Sequence, residues 1–286
     1  MESLRESSIS QIKGVEGLWI SDRFAARSVS LLKELGITHV LSVTHAQDTP
    51  KFEDRDGIVG KHVEIVDDPV EDILLHLNET CDWIDAVLKP IESTDQSLST
   101  NVEGENKKAG GVLVHCTQGI SRSGAVVVAY VMRTLSLTYS SALGLVCESR
   151  PQVLPNLGFE KQLRIWGFCK YDIYCARTGS KAGEAAGGER VEKPAYKAWK
   201  RERDALLGRG EEAVNRERAK GMARVAAAFA KRRVEVKRED DGREKGWEKV
   251  EEMERMWNRR LMIGEAIGGE GNDKGDGGRA TGEEKK

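Results

Sequence analysis

Cys116 and Arg122 stand with five residues between them in Val112-Leu-Val-His-Cys-Thr-Gln-Gly-Ile-Ser-Arg-Ser-Gly-Ala125, flanked by an apolar run on each side. The first run reads as a short buried strand and the second as a helix. Between them, the backbone N–H groups of Thr117, Gln118, Gly119, Ile120, Ser121 and Arg122 can converge on one anion. The helix that begins near Arg122 adds its N-terminal dipole and unpaired N–H groups. Gly119 permits backbone geometry that a side chain resists. The same positive field lowers the pKa of Cys116, from about 8.5 for a free thiol to roughly 3.5–7.5. Arg122 offers a planar fork for two phosphate oxygens. Ser123 can donate a hydrogen bond to the sulfur when it leaves. His115 is expected to orient the loop rather than transfer a proton. These types in this order point to attack on phosphorus through a covalent cysteinyl-phosphate. The competing reading is an inert buried cysteine at a strand end, which is common for that residue type. The register of strand, Cys, Gly, Arg, Ser and helix argues against it.

The leaving alkoxide or phenolate must collect a proton, which a carboxylic acid can deliver. The candidate segment is Val66-Asp-Asp-Pro-Val-Glu-Asp-Ile-Leu-Leu-His-Leu77, with Asp67, Asp68 and Asp72 between a predicted strand and a predicted helix. Asp72 reads as a helix N-cap, where a carboxylate accepts backbone N–H bonds. Taken without Cys116, the cluster reads as a solvated acidic loop.

The loop His-Cys-x-x-Gly-x-x-Arg-Ser-x-Ala resembles that of the dual-specificity phosphatases, within the protein tyrosine phosphatase superfamily. The resemblance extends over residues 14–175. It includes Gly17-Leu-Trp-Ile-Ser-Asp-Arg-Phe-Ala-Ala26, Leu35-Gly-Ile-Thr-His-Val-Leu-Ser-Val43, and Arg150-Pro-x-x-x-Pro-Asn-x-Gly-Phe159 followed by Gln162-Leu163. It implies Cys116 as nucleophile, Arg122 as phosphate clamp and Ser123 as thiolate stabiliser, with His115 and Asn156 in support. The family's acid lies six residues before the apolar residue that opens the helix. Counting back from Ile73 selects Asp67, with Asp68 as runner-up. The pattern Asp-x-Pro-x-x-Asp-Ile/Leu-Leu-x-His-Leu especially resembles the branch that often carries a C-terminal zinc-binding domain. The cysteine-rich ligands of such a domain are absent here, so no metal and no cofactor are expected.

The implied function is a protein phosphatase acting on phosphotyrosine and on phosphoserine or phosphothreonine. None of the variable loop positions 117–121 is lysine, which suits a singly charged site on a protein better than an inositol lipid. The short catalytic unit implies a shallow pocket. Relatives that act on RNA 5′-phosphates form another reading of substrate. The alternatives from other classes are a catalytically weak phosphoprotein-binding module and an RNA-associated scaffold acting through the C-terminal tail. Silent relatives usually lose the cysteine, the arginine or the acid, and all three are present here.

The elements that must position these residues alternate between strand and helix. Ser21 or Asp22 caps a helix that Gly36 ends. Ile37–Val43 and His62–Val66 have strand composition. Ile73–Leu88 reads as a helix with Leu74, Leu77, Cys81, Ile84 and Leu88 on one face. Val112–His115 delivers the nucleophile, Gly124–Leu135 is an apolar helix behind it, and Thr138–Glu148 and Asn156–Tyr174 complete the helical side. The expected fold is α/β, a mainly parallel central sheet flanked by helices, with a charged, partly helical or disordered C-terminal tail. Residues 93–111 read as a flexible insertion before the catalytic strand.

Among the 286 residues, the five cysteines are irregularly spaced and form no CxxC pair, so a zinc site of that type is not supported. A cysteine nucleophile needs a reducing compartment, cytoplasmic or nuclear. Nothing near the N-terminus pairs a basic flank with an apolar core, so no secretory signal is expected. No apolar run approaches the about 18 residues of a membrane span. The formal net charge of −2 hides an asymmetry: residues 176–286 hold 28 of the 45 Lys and Arg but 23 of the 47 Asp and Glu, a net of +5. Residues 176–193 read as a linker, 194–263 as a charged region of high helix propensity, and 264–286 as a disordered tail. Within this part, Lys231-Arg-Arg-Val-Glu-Val-Lys-Arg238 is the densest basic cluster. It reads as a solvated helix face, with nuclear import or contact with RNA or an acidic protein as the alternatives. Trp199, Trp247 and Trp257 are candidate anchors for a partner.

Overall fold

The computed structural model describes residues 8–89, 110–175 and 190–239. Its described part divides into two compact units, 1–222 and the residues from 223 onward. In the first unit, β1 (Ile9–Gln11), β2 (Leu18–Ser21), β3 (Ile37–Val43), β4 (Val59–Val63) and β5 (Gly111–His115) form one sheet of order β1-β2-β5-β3-β4. β5 pairs in parallel with both β2 and β3, β4 pairs in parallel with β3, and only β1 runs antiparallel. The strand that ends at the cysteine is therefore the central one, buried throughout. Central parallel strands are covered on both faces, which explains its unbroken apolar run.

Side chains alternate across a strand, and β5 serves both faces of the sheet in this way. Val112 and Val114 pack in the larger core with Leu18, Ile20, Leu41 and Val43. Leu113 packs on the opposite face with Val40, Ala26 and Leu32. Leu32 belongs to α1 (Val29–Glu34). The larger core is closed by α2 (Leu74–Leu88), α3 (Arg122–Leu135), α4 (Tyr139–Ser149) and α5 (Leu157–Phe168). Leu74, Leu77, Cys81 and Ile84 of α2 face it, as their helical spacing predicts. Every residue of α3 from Arg122 to Met132 is buried, so the helix behind the loop is held all round.

Several boundaries differ from the sequence reading. The helix expected from Ser21 or Asp22 to Gly36 is two pieces, a 3-10 turn at Ala25–Arg27 and α1. Asp22 caps the turn, its Oδ1 accepting from the N–H of Phe24 (2.8 Å) and Ala25 (2.9 Å). Ser28, with ψ 87°, breaks the helix between them. The strand expected at His62–Val66 lies at Val59–Val63, because the β3 ladder fixes its register from His39↔Val59 to Val43↔Val63. Residues 64–66 instead lead out toward the acidic loop. Asp72 is not the flanking residue of α2; Ile73 is. The helix expected over Asn156–Tyr174 stops at Phe168, where Lys170 and Tyr171 take positive φ angles of 56° and 61°.

The composition break after Cys175 does not end the packed unit. The chain returns alongside itself, with Cys175 N–H donating to Val191 O (2.8 Å) and Lys193 N–H to Ile173 O (2.8 Å). Then α6 (Pro194–Gly208) starts with proline in its first turn, where the missing N–H costs nothing. Tyr196 and Trp199, 1% and 5% exposed, join the larger core. Trp199 is thus a core residue, not a partner anchor. α7 (Glu211–Glu239) follows, with the basic cluster 231–238 inside it. Within the second unit, residues 223–239 are helical. Trp247, Trp257, the tail 264–286 and most of the expected insertion and linker lie outside the described residues.

Candidate active site

Residues 116–121 make a tight loop from the end of β5 to the start of α3. Gly119 has φ +67°, and a Cβ there would lie 2.5 Å from Ser21 O, so only glycine fits. Arg150, 2% exposed, braces the outer side: its Nε donates to Gly119 O (2.9 Å) and its Nη2 to Gln118 O (3.4 Å). Leu154 N–H donates to Ile120 O (3.1 Å). With these carbonyls tied outward, Gly119 N–H points in toward Cys116 Sγ (3.2 Å), as the backbone of an anion cradle does. Sequence reasoning gave Arg150 no role; its signal was its place in the Arg-Pro stretch after α4 that carries the family resemblance.

Cys116 Sγ accepts from Gly119 N–H (3.2 Å) and from Ser123 Oγ (3.2 Å). Burial opposes ionisation, but the Arg122 charge and the bonds from Ser123 outweigh it and hold the thiol pKa below its usual value. The guanidinium of Arg122 is fixed beneath the loop. Nη2 donates to Thr117 Oγ1 (2.8 Å), and Nη1 to Ile65 O (3.3 Å) and Thr44 Oγ1 (3.4 Å). Its Nε is buried with no hydrogen-bond partner, and Asp67 Oδ2 lies 4.0 Å away. Thr117 in turn donates to Asp48 Oδ2 (3.2 Å). Thr44 and Asp48 are supports that the sequence reading missed.

His115 is fully buried. Desolvation drives its pKa down to about 4, so the ring is neutral at pH 7. Nδ1 lies 3.3 Å from Cys116 O and Nε2 lies 2.7 Å from Ser42 Oγ. A carbonyl only accepts, so Nδ1 carries the proton and Ser42 donates to Nε2. The imidazole thereby fixes the backbone of the nucleophile.

The two candidate acids face different partners. Asp67 Oδ1 accepts from Ser121 Oγ (2.6 Å) and from Asn156 Nδ2 (2.9 Å). Asn156 also caps α5, its Oδ1 accepting from Phe159 N–H (2.9 Å), and its own N–H donates to Ser121 Oγ (3.1 Å). Asp68 turns away: Oδ1 accepts from Val70 N–H (3.0 Å), and Oδ2 from Arg218 Nε (2.7 Å) and Nη2 (2.6 Å). Asp72 bonds Tyr196 Oη (2.8 Å) and Arg203 Nη1 (3.3 Å); burial raises its pKa, while Tyr196 and Arg203 pull the other way. Cys116, Arg122, Ser123, Asp67, Asn156 and His115 therefore converge on one place, and Asp68 and Asp72 do not join them. Among the described residues, no group of three or more His, Cys, Asp or Glu could hold a metal ion.

The family profile described as "Dual specificity phosphatase, catalytic domain" matches residues 18–168, more than half of the chain. The chain belongs to the dual-specificity phosphatase family. Among curated relatives of this chain, Tyrosine-protein phosphatase YVH1 of Saccharomyces cerevisiae is 34% identical over 169 residues, covering 58% of this chain and 42% of the relative. Dual specificity protein phosphatase 1B of Arabidopsis thaliana is 35% identical over 149 residues, covering 52% of this chain and 77% of the relative. The chain spans less than half of YVH1 and 38% of Dual specificity protein phosphatase MPK-4 of Drosophila melanogaster. Among solved structures, the Yvh1 phosphatase domain from Chaetomium thermophilum is 31% identical with a TM-score of 0.49, covering 58% of this chain and 99% of that one.

Proposed function

We propose that the chain is a cysteine-dependent protein phosphatase acting on phosphotyrosine and on phosphoserine or phosphothreonine. The observation that carries this reading is the Cys116 thiol held below its usual pKa in a loop where Ser123 and Gly119 donate to sulfur, beside a buried Arg122 Nε with no partner. An equatorial phosphate oxygen would meet that Nε and the inward N–H groups. Cys116 Sγ attacks phosphorus in line and the P–O bond to the leaving group breaks. Asp67 gives that oxygen its proton. Water then attacks the cysteinyl-phosphate while Asp67 accepts its proton, releasing inorganic phosphate and the thiolate, which Ser123 stabilises. No step in this scheme calls on a metal.

Asp67 rather than Asp68 is favoured as the acid because it alone of the two bonds to the loop, through Ser121, and lies 4.0 Å from Arg122 Nε. The reading of phosphoprotein substrates rests on family membership and on the lysine-free loop. The five thiols are free, which fits a reducing compartment, cytoplasmic or nuclear. A binding-only or RNA-associated scaffold is the weaker reading, since nucleophile, clamp and acid are all present. A protein or RNA partner for the basic segment 231–238 has only its sequence in support.

The test is phenol release from phenyl phosphate with chelator and reductant present. Wild type should turn over, Cys116→Ser should not, and Asp67→Asn should fall by about 100-fold or more. A folded wild type with no turnover, or a Cys116→Ser variant that keeps it, would sink the reading.

A further inference from the structure

Asp67 sits on a loop, residues 66–73, whose pose sets where its carboxyl points. Part of that loop is held by the matched domain itself. Gln162 Nε2 donates to Glu71 O (2.7 Å), and its Oε1 accepts from Ile73 N–H (2.9 Å) and Leu74 N–H (3.4 Å). Pro69 lies so close over Gly158 that a Cβ there would be 1.8 Å from Pro69 O. The two carboxylates that face away from the phosphate cradle are held differently. Asp72 meets Tyr196 and Arg203 of α6. Asp68, directly next to Asp67, takes both Nε and Nη2 of Arg218 on a single oxygen.

Those partners lie beyond residue 168, where the family match ends. They are well anchored. Tyr196 and Trp199 are core residues, Lys161 of α5 pairs with Glu202 of α6, and Lys200 pairs with Glu192 (2.7 Å). Arg218 is itself oriented from its own helix, with Nη1 donating to Asn215 Oδ1 (2.8 Å). The bond ties the Asp68 end of this loop to α7, whose Val214, one turn before Arg218, is 5% exposed. Asp67 lies at a bend and Asp68 opens the turn closed by Glu71 N–H donating to Asp68 O (3.1 Å). Because the two residues are consecutive, holding Asp68 on Arg218 restricts the backbone from which Asp67 reaches Ser121 and Asn156. Without Arg218, the Asp68 carboxylate, only 16% exposed, would lose its counter-charge and turn the loop toward water.

We propose that Arg218 is a positioning residue, and that the segment after the matched domain completes the catalytic unit by holding the acid loop through the Arg218–Asp68 pair. The proposal rests on Asp67 being the general acid. In the first step, which kcat/KM reads, a misplaced acid slows only substrates whose leaving group needs a proton. An acidic nitrophenol departs without one, whereas phenol requires it.

The experiment compares full-length wild type, Arg218→Gln, Arg218→Lys, Asp67→Asn and the Arg218→Gln/Asp67→Asn double variant on phenyl phosphate and dinitrophenyl phosphate. Thermal midpoints confirm folding; Arg218 is partly exposed on its helix and Gln is a good helix former. Arg218→Gln should lower kcat/KM on phenyl phosphate about 3- to 30-fold, part of the about 100-fold that a general acid contributes. The ratio of kcat/KM for dinitrophenyl phosphate to that for phenyl phosphate should rise by the same factor. Arg218→Lys should recover part of it, since a point charge can pair with Asp68 but not through two donors. In the double variant, Arg218→Gln should add nothing to Asp67→Asn. If Asp67→Asn depends on the leaving group and Arg218→Gln slows both substrates alike, or neither, the positioning role is overturned and the acid assignment stands. If Asp67→Asn shows no such dependence, the acid assignment itself fails and takes this proposal with it.

Discussion

At the scale of single residues, the site is governed by how burial is offset around Cys116 and is not offset around His115. The thiol is buried, yet Arg122 and Ser123 more than compensate and lower its pKa. Removing the hydroxyl in Ser123→Ala should raise the Cys116 pKa. The acidic limb of kcat/KM should then move to higher pH, and alkylation of Cys116 by iodoacetamide should follow the same shift. His115 behaves oppositely, because its only partners are a carbonyl and a hydroxyl. Its pKa falls to about 4 from 6.5. The unfolded chain therefore takes up this proton first as pH falls. Stability from this group is complete above pH 6.5 and is lost progressively as pH drops through about 4, by about 3 kcal/mol at about 1.4 kcal/mol per unit. Urea midpoints between pH 7 and pH 4 should show that slope, and His115→Gln, though less stable at neutral pH, should flatten it.

At the scale of elements, the cysteine loop works because β5, the turn and α3 are each over-determined. β5 is clamped by ladders on both sides, and α3 is buried from Arg122 onward. The turn between them depends on Gly119, where a methyl group would meet Ser21 O at 2.5 Å with φ at +67°. Gly119→Ala should therefore cost about 1–3 kcal/mol of stability and lower kcat much more than it lowers the unfolding midpoint. Parallel measurement of turnover and urea unfolding checks this. A variant with full turnover would mean that the loop relaxes freely. The acid loop has a different character. It owns no secondary structure, and its pose comes from Gln162, Gly158 and Asn156 of α5 and its N-cap and from Arg218 of α7.

At the scale of the whole molecule, the catalytic unit extends past the family's matched segment. α6 lays Tyr196 and Trp199 into the same core as α3 and α5, their rings stacked at 6.0 Å. Trp199→Ala should destabilise the unit by about 3–5 kcal/mol, seen as a lower thermal midpoint of the single transition that reports the catalytic core. An unchanged midpoint would mean that α6 is an appended helix. Among the described residues, no single helix is long and apolar enough to cross a membrane.

The sequence alone determined what depends on local spacing. The order strand, Cys, five residues, Arg, helix allows few other arrangements, because nest geometry and helix dipole act over a handful of adjacent residues. The period of three and four in α2 named its buried face for the same reason. Tertiary structure decided what depends on distant partners. Asp67 and Asp68 are adjacent and chemically alike, and only their contacts with Ser121 and Asn156 on one side and Arg218 on the other tell them apart. Arg150 looks like any surface arginine until the loop carbonyls reach it. The Gly-rich composition after Cys175 suggested a boundary, since composition reports local solvation and not what returns from further along the chain. Two aromatic side chains, buried by a helix that folds back, placed that boundary elsewhere.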